Sequence, residues 1–201
     1  MHDRTSVIAT ARLILRPWKA EDAERVVQLA GRREIADTMI SVPHPFTRQY
    51  ADEWISGHAG AFQRGEALHF TITEAETAAV VGAIELRSIN AEHRNAELSC
   101  WIGLDCWRLG YATEAASTVL RYGFEHLHLN RIAAFHMVRN PASGRALAKI
   151  GMKPEGLLHQ CVRKWERFED VVVMAILQDD WTATNAQGEP SKQSELECEN
   201  Q

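Results

Sequence analysis

Apolar residues alternate in some stretches of the chain and recur at helical spacing in others, which predicts a mixture of short strands and helices. The predicted strands cover residues 12–16, 68–72, 80–86, 96–102, 131–138, 157–165 and 171–177. The predicted helices cover residues 19–32, 47–64, 111–128 and 141–150. Short connections between the three predicted strands over 68–102 favour an antiparallel meander. The strand, helix, strand order that follows makes the sheet mixed. The pattern therefore predicts an α+β fold, with a mixed, mostly antiparallel sheet flanked by helices.

Two prolines interrupt the pattern between the first two predicted helices. Pro43 and Pro45 lack an amide donor and restrict the residues before them, so segment 42–46 is predicted to be a loop. A loop at this place in the chain could border a functional site.

The length of 201 residues corresponds to one domain or two very small ones. We expect a flexible N-terminus over 1–10, a single domain over 11–181 and a disordered acidic tail over 182–201. Leu196 is the tail's only large aliphatic residue, and four glutamates against one lysine give it a charge of −3 out of the chain's −5. The predicted domain is thus nearly neutral.

Charge and composition argue against several classes of function. A mildly acidic chain is a poor partner for nucleic acid, which requires clustered Lys and Arg. The longest apolar run, Val171 to Leu177, is far shorter than the roughly 20 residues that cross a bilayer, so we expect no membrane association. The four cysteines lack the paired spacing of zinc or redox sites, and we expect a cytoplasmic protein with reduced thiols.

Small residues open the predicted helix over 111–128. The first amides of a helix lack intrahelical partners and lie at the positive end of its dipole, so they can hold a phosphate group where side chains leave room. Gly110 and Ala112 provide that room, although a plain turn before a helix would also explain Gly110. The chain has neither a Gly-Lys-Ser/Thr phosphate loop nor a three-glycine dinucleotide motif, which argues against a kinase or a dehydrogenase.

Two segments together resemble the GNAT acetyltransferase superfamily, and its RimJ/RimL-type branch in particular. They are Trp-Arg-Leu-Gly-Tyr-Ala-Thr-Glu-Ala at 107–115 and Asn-Pro-Ala-Ser at 140–143, and the resemblance extends from about Leu13 to Trp181. It implies the GNAT fold and an N-acetyltransferase that uses acetyl coenzyme A (acetyl-CoA) as co-substrate, without a metal. One departure is Trp107, where the superfamily's loop usually opens with Gln or Arg.

The resemblance also implies a set of residues that bind acetyl-CoA. The pyrophosphate would lie on the loop amides, the pantetheine arm along the preceding strand and against Asn140, and Ser143 would contact the cofactor. These residues are Trp101, Ile102, Gly103, Leu104, Arg108, Leu109, Gly110, Tyr111, Ala112, Thr113, Asn140 and Ser143. Asn140 and Ser143 could instead simply begin the helix that follows them.

Acetylation of an amine requires a group that accepts the amine's proton. Glu97 and Glu85, on adjacent predicted strands, are the candidates, and Glu97 is slightly favoured because it lies just before the implied cofactor strand. A solvated strand position is the alternative for each. In the family that the chain resembles, a tyrosine after the second segment is a frequent general acid, but no tyrosine follows Asn140 here. Ser143 is therefore the candidate that protonates the leaving thiolate, with a bound water as its competitor.

The identity of the acceptor amine stays open at this stage. Phe46 and Trp54 are expected to line its entrance, and Asp170 either touches the amine or stabilises a turn. The resemblance favours a protein N-terminal α-amine, with small amines, polyamines, amino acids and antibiotics as alternatives. A catalytically silent acetyl-CoA-binding module is the alternative from another class. The protein is expected to be a monomer or a homodimer.

Overall fold

A mixed sheet of eight strands forms the centre of the computed structural model, which describes residues 7–186. The strands are β1 (Ile8–Ala9), β2 (Leu13–Arg16), β3 (Leu68–Glu74), β4 (Val80–Asn90), β5 (Asn95–Ile102), β6 (Arg131–Met137), β7 (Lys153–Lys164) and β8 (Arg167–Leu177). The helices are α1 (Ala23–Ala30), α2 (Arg33–Thr38), α3 (Arg48–Gln63), α4 (Tyr111–Glu125), α5 (Pro141–Lys149) and α6 (Gln178–Ala186). No helix within residues 7–186 has the length and apolar character needed to span a membrane.

The strand order across the sheet is β1-β2-β3-β4-β5-β6-β8-β7. Among the strands of residues 7–186, only β5 and β6 pair in parallel, and α4 connects them in the chain. All other neighbouring strands pair antiparallel. The predicted α+β class with a mixed, mostly antiparallel sheet is therefore confirmed.

Three elements differ from the sequence prediction. The segment predicted to be flexible contributes β1, where Ile8 pairs with Leu15 of β2. The predicted domain boundary after Trp181 falls inside α6, and the ring of Trp181 lies 5.3 Å from that of Phe124. Helix α2, over Arg33–Thr38, is a helix that the sequence analysis does not predict. Residues 1–6 and 187–201, which include most of the predicted acidic tail, lie outside the described residues.

Apolar side chains cover both faces of the sheet and form two cores. On one face, the strands pack against α4, whose Leu120 and Phe124 are each 1% exposed. On the other face, they pack against α1, α2 and α3. Alternation along β4 places Ile84 in the first core and Ala83 in the second, so Glu85 points to the side of α1 to α3. That side carries the candidate site.

Candidate active site

Strands β5 and β6 lie side by side only at their beginnings. Residues 95–97 pair with 131–133. Beyond them β5 continues to Ile102 and β6 to Met137, and the described residues of these two strands no longer pair with each other. On its other edge β5 stays paired with β4 as far as Ile102. The second half of β5, which holds the predicted cofactor residues Trp101 and Ile102, therefore offers backbone groups to an extended ligand. A pantetheine arm has the required amide groups.

The loop after β5 leads into the beginning of α4, where the sequence predicts a pyrophosphate site. Gly110 caps the helix at a φ of 83°, in the left-handed region that glycine enters without strain. The amides of residues 108–113 have no hydrogen-bond partner within residues 7–186. These adjacent free donors at the positive end of a 15-residue helix fit a pyrophosphate group.

Arg12, just before β2, anchors this loop, a role that the sequence pattern does not reveal. Its Nη1 donates to the carbonyl oxygen of Leu109 at 2.9 Å, and its Nε donates to Oε2 of Glu114 at 2.8 Å. Its guanidinium also lies over the ring of Tyr111, 4.9 Å from the ring centre. The three contacts join the end of the loop to the first turn of α4. They hold the free amides in place from a distant part of the chain.

Replacing Arg12 with glutamine is expected to weaken acetyl-CoA binding about tenfold. This is the lower end of what a hydrogen bond to a charged group contributes, and the lower end applies because the Arg12 side chain is half exposed. Isothermal titration calorimetry measures the Kd. Arg64→Gln is the matched control, because it removes the same charge from an exposed ion pair with Glu66. Equal affinities of Arg12→Gln and wild type would show that the loop needs no anchor.

Asn140 and Ser143 lie together at the beginning of α5. Oδ1 of Asn140 accepts from the Ser143 amide at 3.3 Å, and its Nδ2 donates to the carbonyl oxygen of Thr38 at 3.3 Å. Asn140 thus caps the helix and ties it to the end of α2. Its contact with pantetheine, and the role of Ser143 toward the thiolate, stay predictions.

A cavity of about 300 Å³ opens on the side of α1 to α3, bounded by α3, segment 39–46, β4 and β5. The predicted acceptor residues Phe46 and Trp54 both line it. The Trp, Phe and Tyr side chains that line it are Trp18, Phe46, Tyr50, Trp54 and Trp101. The polar side chains that line it are Ser41, His69, Glu85, Arg87 and Ser99. Its size lies at the small end of the range for ligand sites.

Glu85 is the carboxylate that lines this cavity. Its Oε2 lies 2.8 Å from Nδ1 of His69, and its Oε1 lies 3.5 Å from Nη1 of Arg87. The His69 contact is an ion-pair distance without the alignment of a hydrogen bond, since Nδ1 has no hydrogen-bond partner among the described residues. The Glu85 side chain is 16% exposed, so its charge lies in a partly dehydrated setting.

Glu97, the other candidate, lies on the same face of β5 as Ser99 and Trp101 and forms an ion pair. It lies opposite Arg87 in the ladder between β4 and β5, and Nε of Arg87 donates to its Oε1 at 2.9 Å. The same guanidinium thus lies between the two candidate carboxylates. Glu97 is not among the described residues that line the cavity, whereas Glu85 lines it.

His58 of α3 adds an unusual contact behind Glu85. Its ring stacks on that of His69, with centroids 3.9 Å apart and planes 14° apart. Burial, and then the nearby His69, lower the pKa of His58 to about 3, so His58 is neutral at pH 7. Both of its ring nitrogens and Nε1 of Trp18 are buried without hydrogen-bond partners in the described part of the chain. Such groups are uncommon in folded proteins.

Asp170 lies on the hairpin of β7 and β8, and it is not among the residues that line the cavity. Its Oδ1 accepts from the amide of Gln160 at 2.8 Å, and Nδ1 of His159 lies 3.2 Å from its Oδ2. The Gln160 amide, and then His159, lower the pKa of Asp170. These contacts fit a structural role in the hairpin, and substrate contact by Asp170 stays a prediction.

The same hairpin holds the cavity wall in place, through contacts that the sequence analysis missed. Nζ of Lys164 donates to the carbonyl oxygen of Val42 at 2.7 Å. Next to it, Nε1 of Trp165 donates to Oδ1 of Asp37 at 2.6 Å. Lys164 is 9% exposed, and burial lowers its pKa. We call Lys164 and Trp165, with these two contacts, the hairpin clamp.

Lys164→Met is expected to raise the KM for the acceptor amine about tenfold, because it releases Val42 from a charge-assisted hydrogen bond of about 1.5–3 kcal/mol. Methionine keeps the apolar stem, and kcat is expected to change less than about twofold since no reacting group is altered. Steady-state kinetics at saturating acetyl-CoA tests this. The control is the exposed Lys19→Met. A fall in kcat at unchanged KM would contradict a positioning role.

Residues 12–153 match the family model described as an acetyltransferase (GNAT) domain. The chain is 32% identical over 154 residues to YoaA of Bacillus subtilis (strain 168), an uncharacterized N-acetyltransferase, covering 77% of this chain and 86% of YoaA. It is 31% identical over 172 residues to the uncharacterized N-acetyltransferase p20 of Bacillus licheniformis, covering 86% of this chain and 96% of p20.

Another relative is the [ribosomal protein uS5]-alanine N-acetyltransferase of Escherichia coli (strain K12). It is 26% identical over 124 residues, which cover 60% of this chain and 62% of the relative. Among solved structures, a GNAT-family acetyltransferase from Bacillus anthracis superposes with a TM-score of 0.77 at 26% identity, over 87% of this chain and 99% of that chain.

A spermidine N-acetyltransferase from Vibrio cholerae, solved with CoA and spermine, superposes with a TM-score of 0.76 at 25% identity. The superposition covers 86% of this chain and 99% of that chain. The family match includes the loop before α4, β5 with its free edge, and Glu85. The fold and the relatives agree with it, and this protein belongs to the GNAT family of acetyl-CoA-dependent N-acetyltransferases.

Proposed function

We propose that this protein transfers the acetyl group of acetyl-CoA to a primary amine bound in the cavity, with Glu85 as the proton acceptor. The observation that carries this proposal is the position of Glu85. Glu85 lines the cavity from β4, and its partner in the ladder is Ser99. Ser99 belongs to the half of β5 whose other edge is free. A thioester held along the free edge of β5 would lie two strand spacings, about 10 Å, from β4, a gap that the Glu85 side chain and an amine or water beside it can span.

The reaction is proposed to proceed by direct attack in a ternary complex. Glu85 accepts a proton from the ammonium group, directly or through a water, which frees the nitrogen lone pair. The nitrogen bonds to the thioester carbon, and the carbon–sulfur bond then breaks. The departing thiolate takes a proton from the Ser143 hydroxyl or from a water, which recovers one from the attacking nitrogen as the amide forms. CoA then leaves as the thiol, and Glu85 releases its proton to solvent.

An acyl-cysteine intermediate has no support in the site's geometry. Cys100 lies on β5, and burial, with a smaller effect of the Glu85 charge, raises its pKa to about 12. The thiol is therefore protonated at neutral pH, whereas a nucleophilic cysteine requires a thiolate.

An N-terminal α-amine is the acceptor that needs the least work to deprotonate. Its pKa of about 7.7–8.0 lies roughly 2.5 units below that of a lysine amine, which corresponds to about 3.4 kcal/mol. The E. coli relative is named for acetylation of an alanine of ribosomal protein uS5, which supports a protein N-terminus. The V. cholerae structure, named for spermidine, supports a free small amine as the second candidate.

An assay of CoA release over a panel of short peptides, amino acids, polyamines and aminoglycosides tests the proposal. We expect CoA release, and a matching acetylated product by mass spectrometry, with at least one amine. Acetyl-CoA that binds in calorimetry but yields no CoA with any amine would overturn the proposal and favour a silent binding module.

A further inference from the structure

The aromatic wall of the cavity forms a connected set of rings. The ring of Phe46 lies 4.9 Å from that of Tyr50 and 6.4 Å from that of Trp54, edge to face in both cases. Trp54 in turn meets Trp18 edge to face at 5.0 Å. Such contacts hold the rings in defined orientations. The cavity therefore presents preorganised ring surfaces to whatever lies in front of Glu85.

Two carboxylates at the cavity, Glu85 and Glu97, share the single guanidinium of Arg87. Glu85 is the only carboxylate among the described lining residues, and it lies within ion-pair distance of Arg87 and His69. Arg87 also pairs with Glu97, just outside the lining. His58, behind His69, is neutral at pH 7. One ammonium group can approach Glu85, but a second or third would find no carboxylate of its own and would face Arg87.

We infer that the acceptor is a primary amine with a single positive charge and an aromatic or bulky apolar arm, which lies against Phe46, Tyr50 and Trp54. This inference rests on the proposed function and specifies its substrate. The ring faces favour both the arm, through burial and edge-to-face contact, and the nearby ammonium, through cation–π attraction. Polyamines, which carry two or more ammonium groups, do not match the charge of this cavity.

The same chemistry occurs in two sources, a free arylalkylamine and a peptide whose first residue is aromatic. A peptide would place its first side chain in the cavity and extend the rest of its chain outward. The experiment therefore uses one arylalkylamine and one peptide with an aromatic first residue, and it compares each with a similar amine that lacks the ring. Suitable pairs are 2-phenylethylamine with n-propylamine, and Phe-Ala-amide with Gly-Ala-amide.

The first experiment measures kcat/KM for these four amines and for spermidine by CoA release. We expect the ring-bearing member of at least one pair to exceed its partner by about 10- to 100-fold, the range that burial of such a group gives. We expect it to exceed spermidine by at least about tenfold. The better ring-bearing acceptor identifies the source. Spermidine equal to or better than both ring-bearing amines, or no advantage of the ring in either pair, overturns the inference.

These outcomes separate the inference from the function on which it rests. CoA release with any amine sustains the proposed N-acetyltransferase, even where the order of substrates overturns the inference. Absence of CoA release with every amine overturns both.

Two cavity variants locate the selectivity in the rings. Tyr50→Ser changes a rim residue that is 38% exposed, so folding is expected to survive, and Trp54→Leu changes a deeper ring. Both are expected to reduce the kcat/KM ratio of ring-bearing to ring-free amine at least about fivefold. Leu177→Ser, on a residue that is 41% exposed at the end of β8 and does not line the cavity, is the control and should leave the ratio unchanged. Melting temperature and acetyl-CoA affinity verify each fold, and an unchanged ratio in both cavity variants overturns the inference.

Discussion

Replacing Glu85 with glutamine is expected to lower kcat/KM for the preferred amine by about 10³-fold, within the range for loss of a general base. The carboxamide keeps the size of the side chain but cannot accept the proton of the ammonium group. Acetyl-CoA affinity is expected to stay within about twofold, because the free amides at 108–113 and the edge of β5 do not involve Glu85.

Glu97→Gln is the matched comparison, because it makes the same change in the carboxylate on the other side of Arg87. We expect it to lower kcat/KM less than about tenfold, through a shift of Arg87 alone. The Glu85→Gln rate is also expected to rise with pH, since a larger share of the amine then arrives unprotonated. A larger loss in Glu97→Gln than in Glu85→Gln would assign the base to Glu97, as the sequence analysis slightly favours.

Asp22→Asn is expected to lower the free energy of unfolding by about 3 kcal/mol at pH 7. Asp22 is 5% exposed and accepts hydrogen bonds from Nη1 and Nη2 of Arg16, each at 2.8 Å, and from the amide of Lys19 at 2.9 Å. Removal of one partner from a buried ion pair costs about 3–5 kcal/mol. The lower value applies because Arg16 keeps 19% of its side chain exposed.

This stabilisation by Asp22 depends on pH in a defined direction. Burial alone would raise the pKa of Asp22, but hydrogen bonds from Arg16 and the Lys19 amide, with the charge of Arg16, outweigh burial and lower it. A carboxyl group with a lowered folded-state pKa stabilises the fold above its unfolded pKa of about 3.9, and this contribution is lost as the pH falls through the folded value. The gap between wild type and variant should be full at pH 6–8 and shrink below about pH 4.

Urea denaturation at several pH values measures this gap. Asp52→Asn is the control, because Asp52 pairs with Arg48 at 3.0 Å while both side chains are at least half exposed. We expect it to change the free energy of unfolding by less than about 0.5 kcal/mol. Equal losses in the two variants, or a gap that stays constant down to pH 3, would contradict the assigned role of Asp22.

Local signals account for the elements that the sequence predicts well. The helix predicted over 111–128 and the strand over 96–102 appear as α4 and β5, because their apolar period and the glycine before α4 are properties of neighbouring residues. Helix α2 spans only six residues, too few for a period to stand out. Strand β7 has few buried side chains, so alternation could not show that it begins at Lys153.

The site divides in the same way between local and long-range information. The loop before α4 was recognisable from consecutive residues, whereas the preference for Glu85 over Glu97 depends on where three strands place Arg87 and His69. The anchor from Arg12 to Glu114 joins residues 102 positions apart, and the hairpin clamp joins Lys164 to Val42 across 122. No periodicity links such positions.

The sequence by itself determined the fold class, the family resemblance and the loop that presents free amides to a pyrophosphate, because each depends on contiguous residues and their backbone preferences. Only the tertiary structure decided which candidate carboxylate lines the cavity and what surrounds it. Packing of α3 and segment 39–46 against β4 and β5 gathers Phe46, Trp54 and Glu85 around one cavity. Burial and charge balance at that cavity arise from residues that meet only when the chain folds.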